Sequence, residues 1–222
     1  MPAKYRLLSF IVRFCSVCFI GASIPLSYGQ EGGSPDSRPR VPPGQRVIQD
    51  FPLLHISAIP DVNRTNWTLK VTGEIEHPFH LQWADFMKLD TVASVSDFHC
   101  VTGWSRLDNH WRGVRIRDIL HMAEPKESAE YITFISADEY TTSLPISQCT
   151  GDDDILAFRW EGKALTKENG GPVRVVIPSK YAYKSALWVV ALKLTKKQEL
   201  GYWEKRGYSN SADPWKEERH SR

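Results

Sequence analysis

Cysteine is scarce in this chain: four in 222 residues, and Cys15 and Cys18 fall within an apolar N-terminal run. Only Cys100 and Cys149 remain elsewhere, too few for a disulfide scaffold. The Cys15–Cys18 spacing finds no second cysteine pair, and no HxxxH-type spacing is present, so a zinc centre has little support. A surplus of basic charge is also missing. Lys and Arg total 28 against 26 Asp and Glu, with no basic stripe or recognised motif, which argues against nucleic acid as a partner. Residues 1–29 hold Lys4, Arg6 and Arg13 and no acid. No internal repeat is visible.

With 41% hydrophobic and 24% charged residues, the composition is that of a globular protein. Lys4 and Arg6 precede an apolar stretch from Leu7 to Leu26 that ends near Ser27-Tyr28-Gly29. That order is the order of a secretory signal peptide, with an uncleaved membrane anchor as the alternative. Either implies a periplasmic or secreted protein, and the anchor would add membrane association. No adjacent arginine pair marks the leader. Residues 30–46, rich in Gly, Pro and Ser, read as a linker. Residues 47–200 read as one domain, and residues 201–222 as a tail wrapped over it.

Alternation makes Trp67 to Thr72 a half-buried strand, with shorter strands at Phe79 to Gln82 and Thr91 to Ser96. Further strands are expected at Tyr131 to Ser136, Thr141 to Leu144, Ile155 to Trp160, Val173 to Pro178 and Ala186 to Leu194. Trp83 to Leu89 has the spacing of a short helix. Ile116, Ile119, Leu120 and Ala123 share the face of another, stopped by Pro125. Asp152-Asp153-Asp154 reads as a solvated acidic turn.

The densest chemistry lies at Asp97-Phe98-His99-Cys100-Val101-Thr102-Gly103-Trp104-Ser105. Cys100 sits where a strand ends and a loop begins, where mixed folds place functional groups. Such a thiol is a metal ligand, a nucleophile, an inert buried group, or half of a Cys100–Cys149 disulfide. Arg174 projects from an apolar strand and, if buried, needs an anionic or carbonyl partner. Lys180, Lys184 and nearby tyrosines could join it around an anionic cofactor.

The His99-to-Ser105 loop resembles the molybdopterin-binding domain of the sulfite oxidase superfamily. So do Trp111-Arg112-Gly113-Val114, Ile155 to Phe158, Asn169-Gly170-Gly171-Pro172-Val173-Arg174 and Pro178. The similarity is to short stand-alone bacterial members related to the periplasmic methionine sulfoxide reductase catalytic subunit. The resemblance implies an α+β fold of mixed sheets with short helices, and a Mo-molybdopterin cofactor. Cys100 would bind the molybdenum. His55, Ser136, Asn169, Arg174, Lys184 and the segment Ser185-Ala186-Leu187 would hold the pterin and its phosphate. Arg106, Lys180, Tyr181 and Tyr183 are candidates for the substrate mouth. The implied reaction is two-electron oxygen-atom transfer on a small sulfur- or nitrogen-oxide substrate, with electrons exchanged with a cytochrome or membrane haem subunit. Leu53 and Trp104-Ser105 stand where family sulfite oxidases carry arginines, and Leu187 where many relatives carry lysine. These departures argue against sulfite as substrate. The rival class is a secreted, cofactor-free binding module of the same fold.

Overall fold

Alternation sets the first sheet partner. In β2, Leu69 and Val71 are fully buried while Lys70 and Thr72 face water, the pattern of a strand with one covered face. The structure, a computed structural model, describes residues 38–52 and 54–221. The leader, residues 30–37 of the expected linker, and Leu53 lie outside the described residues. In chain order the elements are β1 (Arg46–Val47), β2 (Thr68–Gly73), β3 (Phe79–Gln82), α1 (Trp83–Phe86), β4 (Val92–Cys100) and β5 (Trp104–Arg115). They continue as α2 (Ile116–Ala123), β6 (Tyr131–Ser136), β7 (Thr141–Pro145), β8 (Ile155–Trp160), β9 (Lys163–Ala164), β10 (Arg174–Val176) and β11 (Val189–Thr195).

Two mixed sheets form. One orders β3-β2-β11-β6-β7, with β11 parallel to β2 and the other pairs antiparallel. The other orders β1-β5-β8-β10, with β4 on β5 and β9 on β8. The chain has an α+β fold. The main core joins Leu69, Val71, Ile132, Phe134 and Leu192 from the first sheet to Leu156, Phe158 and Val175 from the second. In α2, Ile116, Ile119, Leu120 and Ala123 are buried at i, i+3, i+4 and i+7, one helical face. That helix ends where Glu124 turns left-handed (φ 48°) ahead of Pro125.

Two expectations need correction. The stretch from Trp104 to Gly113 reads in sequence as a broken loop, yet it is the first ten residues of β5, the longest strand. Its polar run is internally paired: the buried Asn109 amide donates to the Ser96 and Arg106 carbonyls. Gly113 lies within the strand where its neighbour approaches closely: a Cβ there would lie 2.4 Å from the Leu156 carbonyl oxygen of β8. The end of the expected linker is likewise bound to the domain. Arg46 and Val47 pair in parallel with Trp104 and Ser105, and Arg40 grips Asp97 through two 2.7 Å bonds.

Candidate active site

β4 delivers Cys100 to a tight hairpin. Cys100 and Trp104 are paired across it, and Gly103 closes the turn at φ +96°, a backbone angle that favours glycine. The Gly103 amide donates to the Cys100 carbonyl at 3.0 Å. Under the hairpin lies a second apolar cluster of Phe98, Trp104, Trp111, Ile155 and Val176, with Phe51 packed against it. Cys100 is 4% exposed and lines a cavity of about 330 Å³, within the size range of small-molecule sites. Burial pushes its thiol up, while the Thr102 hydroxyl, 3.1 Å from Sγ, and the Arg219 charge draw it back.

Nine of the sequence-derived site residues meet around this one cavity: His55, Cys100, Ser136, Asn169, Arg174, Tyr183, Ser185, Ala186 and Leu187. They arrive from separate parts of the chain. Ser136 ends β6, Arg174 begins β10, and Ser185 to Leu187 follow a 3-10 turn at Ala182–Lys184. The last segment is pinned to β10. The Val175 amide donates to the Ala186 carbonyl at 2.8 Å, and the Ile177 amide to Ser185 Oγ at 3.0 Å. His55 reaches the rim on an extended stretch, its ring edge-on to Trp188.

Arg174 is 2% exposed, and among the described residues no carboxylate pairs with it. Its guanidinium makes only long bonds to carbonyls, 3.2 Å to Asn169 and 3.4 Å to Ser185 and Val175. Phe51, Phe98 and Trp111 present ring faces 5.2–5.6 Å from it. Burial pulls this group down to about 9, which is the cost of a cation lacking its anion. Ser136 Oγ is also buried without a hydrogen-bond partner. A native interior rarely leaves such groups unmet. The residues fit a group that brings an anion toward Arg174 and a polar edge toward Ser136, and Cys100 would be available to ligate a metal. Among the described residues no three His, Cys, Asp or Glu side chains gather around a possible metal position.

Four sequence-derived residues lie elsewhere: Lys184, Arg106, Tyr181 and Lys180. Lys184 is fully buried but turns away from the cavity, with Nζ 2.5 Å from Glu204 Oε1 and 2.9 Å from the Ser143 carbonyl. Arg106 stacks on Trp160 and bonds Asn109, Glu161 and the Gln49 carbonyl. Tyr181 is buried behind the site, bridged to His99, with its ring under Arg219. Lys180 bonds Gln148 instead, whereas Tyr183 does line the cavity. Both Cys100 and Cys149 are free thiols. Cys149 Sγ faces the Pro145 and Ile146 carbonyls, so the alternative disulfide does not form.

Sequence reasoning missed part of the wall. Thr102, Tyr140, Trp188, Trp203 and Tyr208 also line the cavity. Two tyrosine hydroxyls are engaged with backbone, Tyr140 on the Tyr183 carbonyl and Tyr183 on the Ser209 carbonyl. Thr102 has a local signal, a hydroxyl two residues past Cys100. Trp203 and Tyr208 carry no local signal, because the tail had to be folded back to bring them here.

The cavity thus gathers a cysteine hairpin, a buried arginine and a buried, unpartnered hydroxyl. Residues 56–203 match the family described as oxidoreductase molybdopterin binding domain, and the chain belongs to that family. The tail beyond Trp203 lies outside the matched segment. The chain is 41% identical over 185 residues to the oxidoreductase YuiH of Bacillus subtilis (strain 168), covering 83% of this chain and 93% of that protein. It is 29% identical to the protein-methionine-sulfoxide reductase catalytic subunit MsrP of Campylobacter jejuni, over 67% of this chain and 56% of that one. The sulfane dehydrogenase SoxCD from Paracoccus pantotrophus shares the fold, with a TM-score of 0.61 at 21% identity. That match covers 69% of this chain and 43% of the SoxCD chain. The protein is thus an oxidoreductase of the molybdopterin-binding family.

Proposed function

We propose that this protein binds Mo-molybdopterin through Cys100 and transfers an oxygen atom to or from a small sulfur- or nitrogen-oxide substrate, exchanging two electrons with a separate carrier. The observation that carries the reading is one cavity shared by a buried thiol and a buried arginine that no carboxylate among the described residues pairs with. When bound, the cofactor supplies the two-electron redox change and the oxygen-accepting metal. The chain's own residues do the rest. Cys100 loses its proton on ligation, because a coordinated thiol is deprotonated by its metal. Arg174, with its planar fork of donors, suits a phosphate. The Ser136 hydroxyl is positioned to donate into the cavity. Aromatic faces around the rim exclude water, which strengthens every charge interaction inside.

The name of the Campylobacter relative supports reduction of a sulfoxide as the direction of reaction. The cavity supports a neutral substrate over sulfite, since among the described residues Arg174 is the one lining Lys or Arg while Asp138 and Glu168 also line it. The charged, apolar, small-residue order of residues 1–29 supports export to the periplasm or beyond, with either cleavage or retention as an anchor. A separate electron carrier suits the chemistry, because each oxygen transfer would leave the centre two electrons out of balance until a second half-reaction restores it. The test is a screen of sulfoxides, N-oxides and sulfite against artificial donors and acceptors with the cofactor-loaded protein. Turnover of sulfoxides or N-oxides, with sulfite at least about 100-fold poorer in kcat/KM, agrees with the reading, a gap of about 2.7 kcal/mol in transition-state binding. Sulfite as the best substrate would overturn it.

A further inference from the structure

The Cys100 hairpin is held from outside by both ends of the described chain. Its carbonyls are taken in turn: Gln45 Nε2 donates to Cys100 O at 3.1 Å, and the Arg46 amide to Gly103 O at 3.1 Å. The remaining partner comes from the far end, where Arg219 Nη1 donates to Val101 O. The tail that carries Arg219 is itself fixed. Tyr208 and His220 pair across it, the Ser209 amide donates to the Arg219 carbonyl, and the Tyr181 amide to the Ala212 carbonyl. Trp215 lies edge-on to His99, at 5.1 Å between ring centres, and its indole donates to the Pro39 carbonyl. Strap and tail also touch each other. A Cβ at Gly44 would lie 2.9 Å from Glu217 Oε1 and 3.1 Å from Arg219 Nη2.

We propose that Arg219 is a positioning residue for the metal-ligating cysteine: it fixes the Val101 carbonyl and thereby the Cys100 loop, and it sets a positive charge beside the sulfur. This rests on the reading of Cys100 as the molybdenum ligand. A guanidinium donating to a carbonyl makes a charge-assisted bond, roughly twice as strong as a neutral one. Partners outside the first set of ligands orient those ligands and tune a metal. Nearby positive charge favours the state with the extra electron, so losing it makes reduction harder. Only 24% of the Arg219 side chain is exposed, so solvent screens that charge incompletely. Its carboxylate neighbour, Glu217 Oε1 at 3.7 Å, is the more exposed partner at 52% and offsets the charge only in part.

The experiment compares the full native chain with Arg219→Gln and Arg219→Lys by two readouts. The first is amide hydrogen exchange in the cofactor-free protein, in a peptide spanning 100–104 and a control peptide spanning 155–160. The second is the reduction potential of the molybdenum in the loaded protein. In Arg219→Gln the loop is expected to exchange about 10-fold faster, the loss of one charge-assisted bond. The control peptide stays unchanged and the potential falls. Arg219→Lys restores both readouts most of the way, because it keeps the donor and the charge. Unchanged loop exchange in Arg219→Gln overturns the proposal. So does equal acceleration in the control peptide, which marks general destabilisation. Faster loop exchange with an unshifted potential overturns it as well. If the native protein takes up no molybdenum, the reading of Cys100 fails instead, and the exchange readout alone decides whether Arg219 holds the loop.

Discussion

Lys184 Nζ and Glu204 Oε1 lie 2.5 Å apart, and both side chains are completely buried. Thr142 Oγ1 donates to the same carboxylate oxygen, and the Ser143 carbonyl accepts from the ammonium. The pair ties the turn before β11 to the C-terminal tail. Burial pulls Lys184 down while the Glu204 charge pushes it back up. Its part is structural, one step removed from the cavity that Tyr183 and Ser185 face on either side of it.

Lys184→Met is expected to destabilise the protein by about 3–5 kcal/mol, because it strands a buried carboxylate. The double variant Lys184→Met, Glu204→Leu recovers most of that loss. Urea unfolding of the three proteins measures it. Equal losses in the single and double variants would contradict the pairing.

Burial raises the Asp154 carboxyl from its ordinary 3.8 to about 6, assisted by the Asp153 charge. The Gly151 amide and Lys180 act against the shift. A raised acid binds its proton more tightly folded than unfolded, so the contribution of Asp154 to stability is full below pH 4 and is lost as pH rises through about 6. The loss amounts to about 3 kcal/mol. Asp154→Asn keeps an acceptor for the Gly151 amide, 2.8 Å from Oδ2, and removes the charge. The variant is expected to be the more stable protein at pH 7, with a flatter profile between pH 4 and 6. Thermal melts across that window check the sign.

Arg174→Met separates cofactor grip from folding. The cofactor-free protein is expected to change by no more than about 1 kcal/mol, since relief of an unpaired buried cation offsets the lost ring contacts. Cofactor affinity falls roughly 10- to 100-fold, the range of one charge-assisted hydrogen bond of about 1.5–3 kcal/mol. Melting of the cofactor-free protein and cofactor titration read the two effects separately.

The sequence announces its local devices. Leu69 and Val71 alternate, Ile116 to Ala123 repeat at helical spacing, and Gly103 follows Cys100 in a turn that only a flexible backbone closes readily. Those features place most strands, α2 and the centre of the site. What stays hidden depends on partners distant in the chain. Lys184 reads as a cofactor cation until Glu204, twenty residues later, folds against it. Arg106 reads as a substrate contact until Trp160 and Glu161 arrive beside it. β5 hides because Asp108, Asn109 and His110 look like loop residues, and only the pairing with β4 and β8 shows why they are tolerated. Arg219 carries no motif; the folded tail alone brings it to Val101.

Molybdenum stoichiometry tests the central claim most directly. The full chain and Cys100→Ser are produced in a host that makes the cofactor, and metal content and visible absorption are measured for both. The account predicts close to one molybdenum per native chain, with a thiolate-to-metal absorption band that disappears in Cys100→Ser. Native protein free of molybdenum, or an identical band in both proteins, would contradict it.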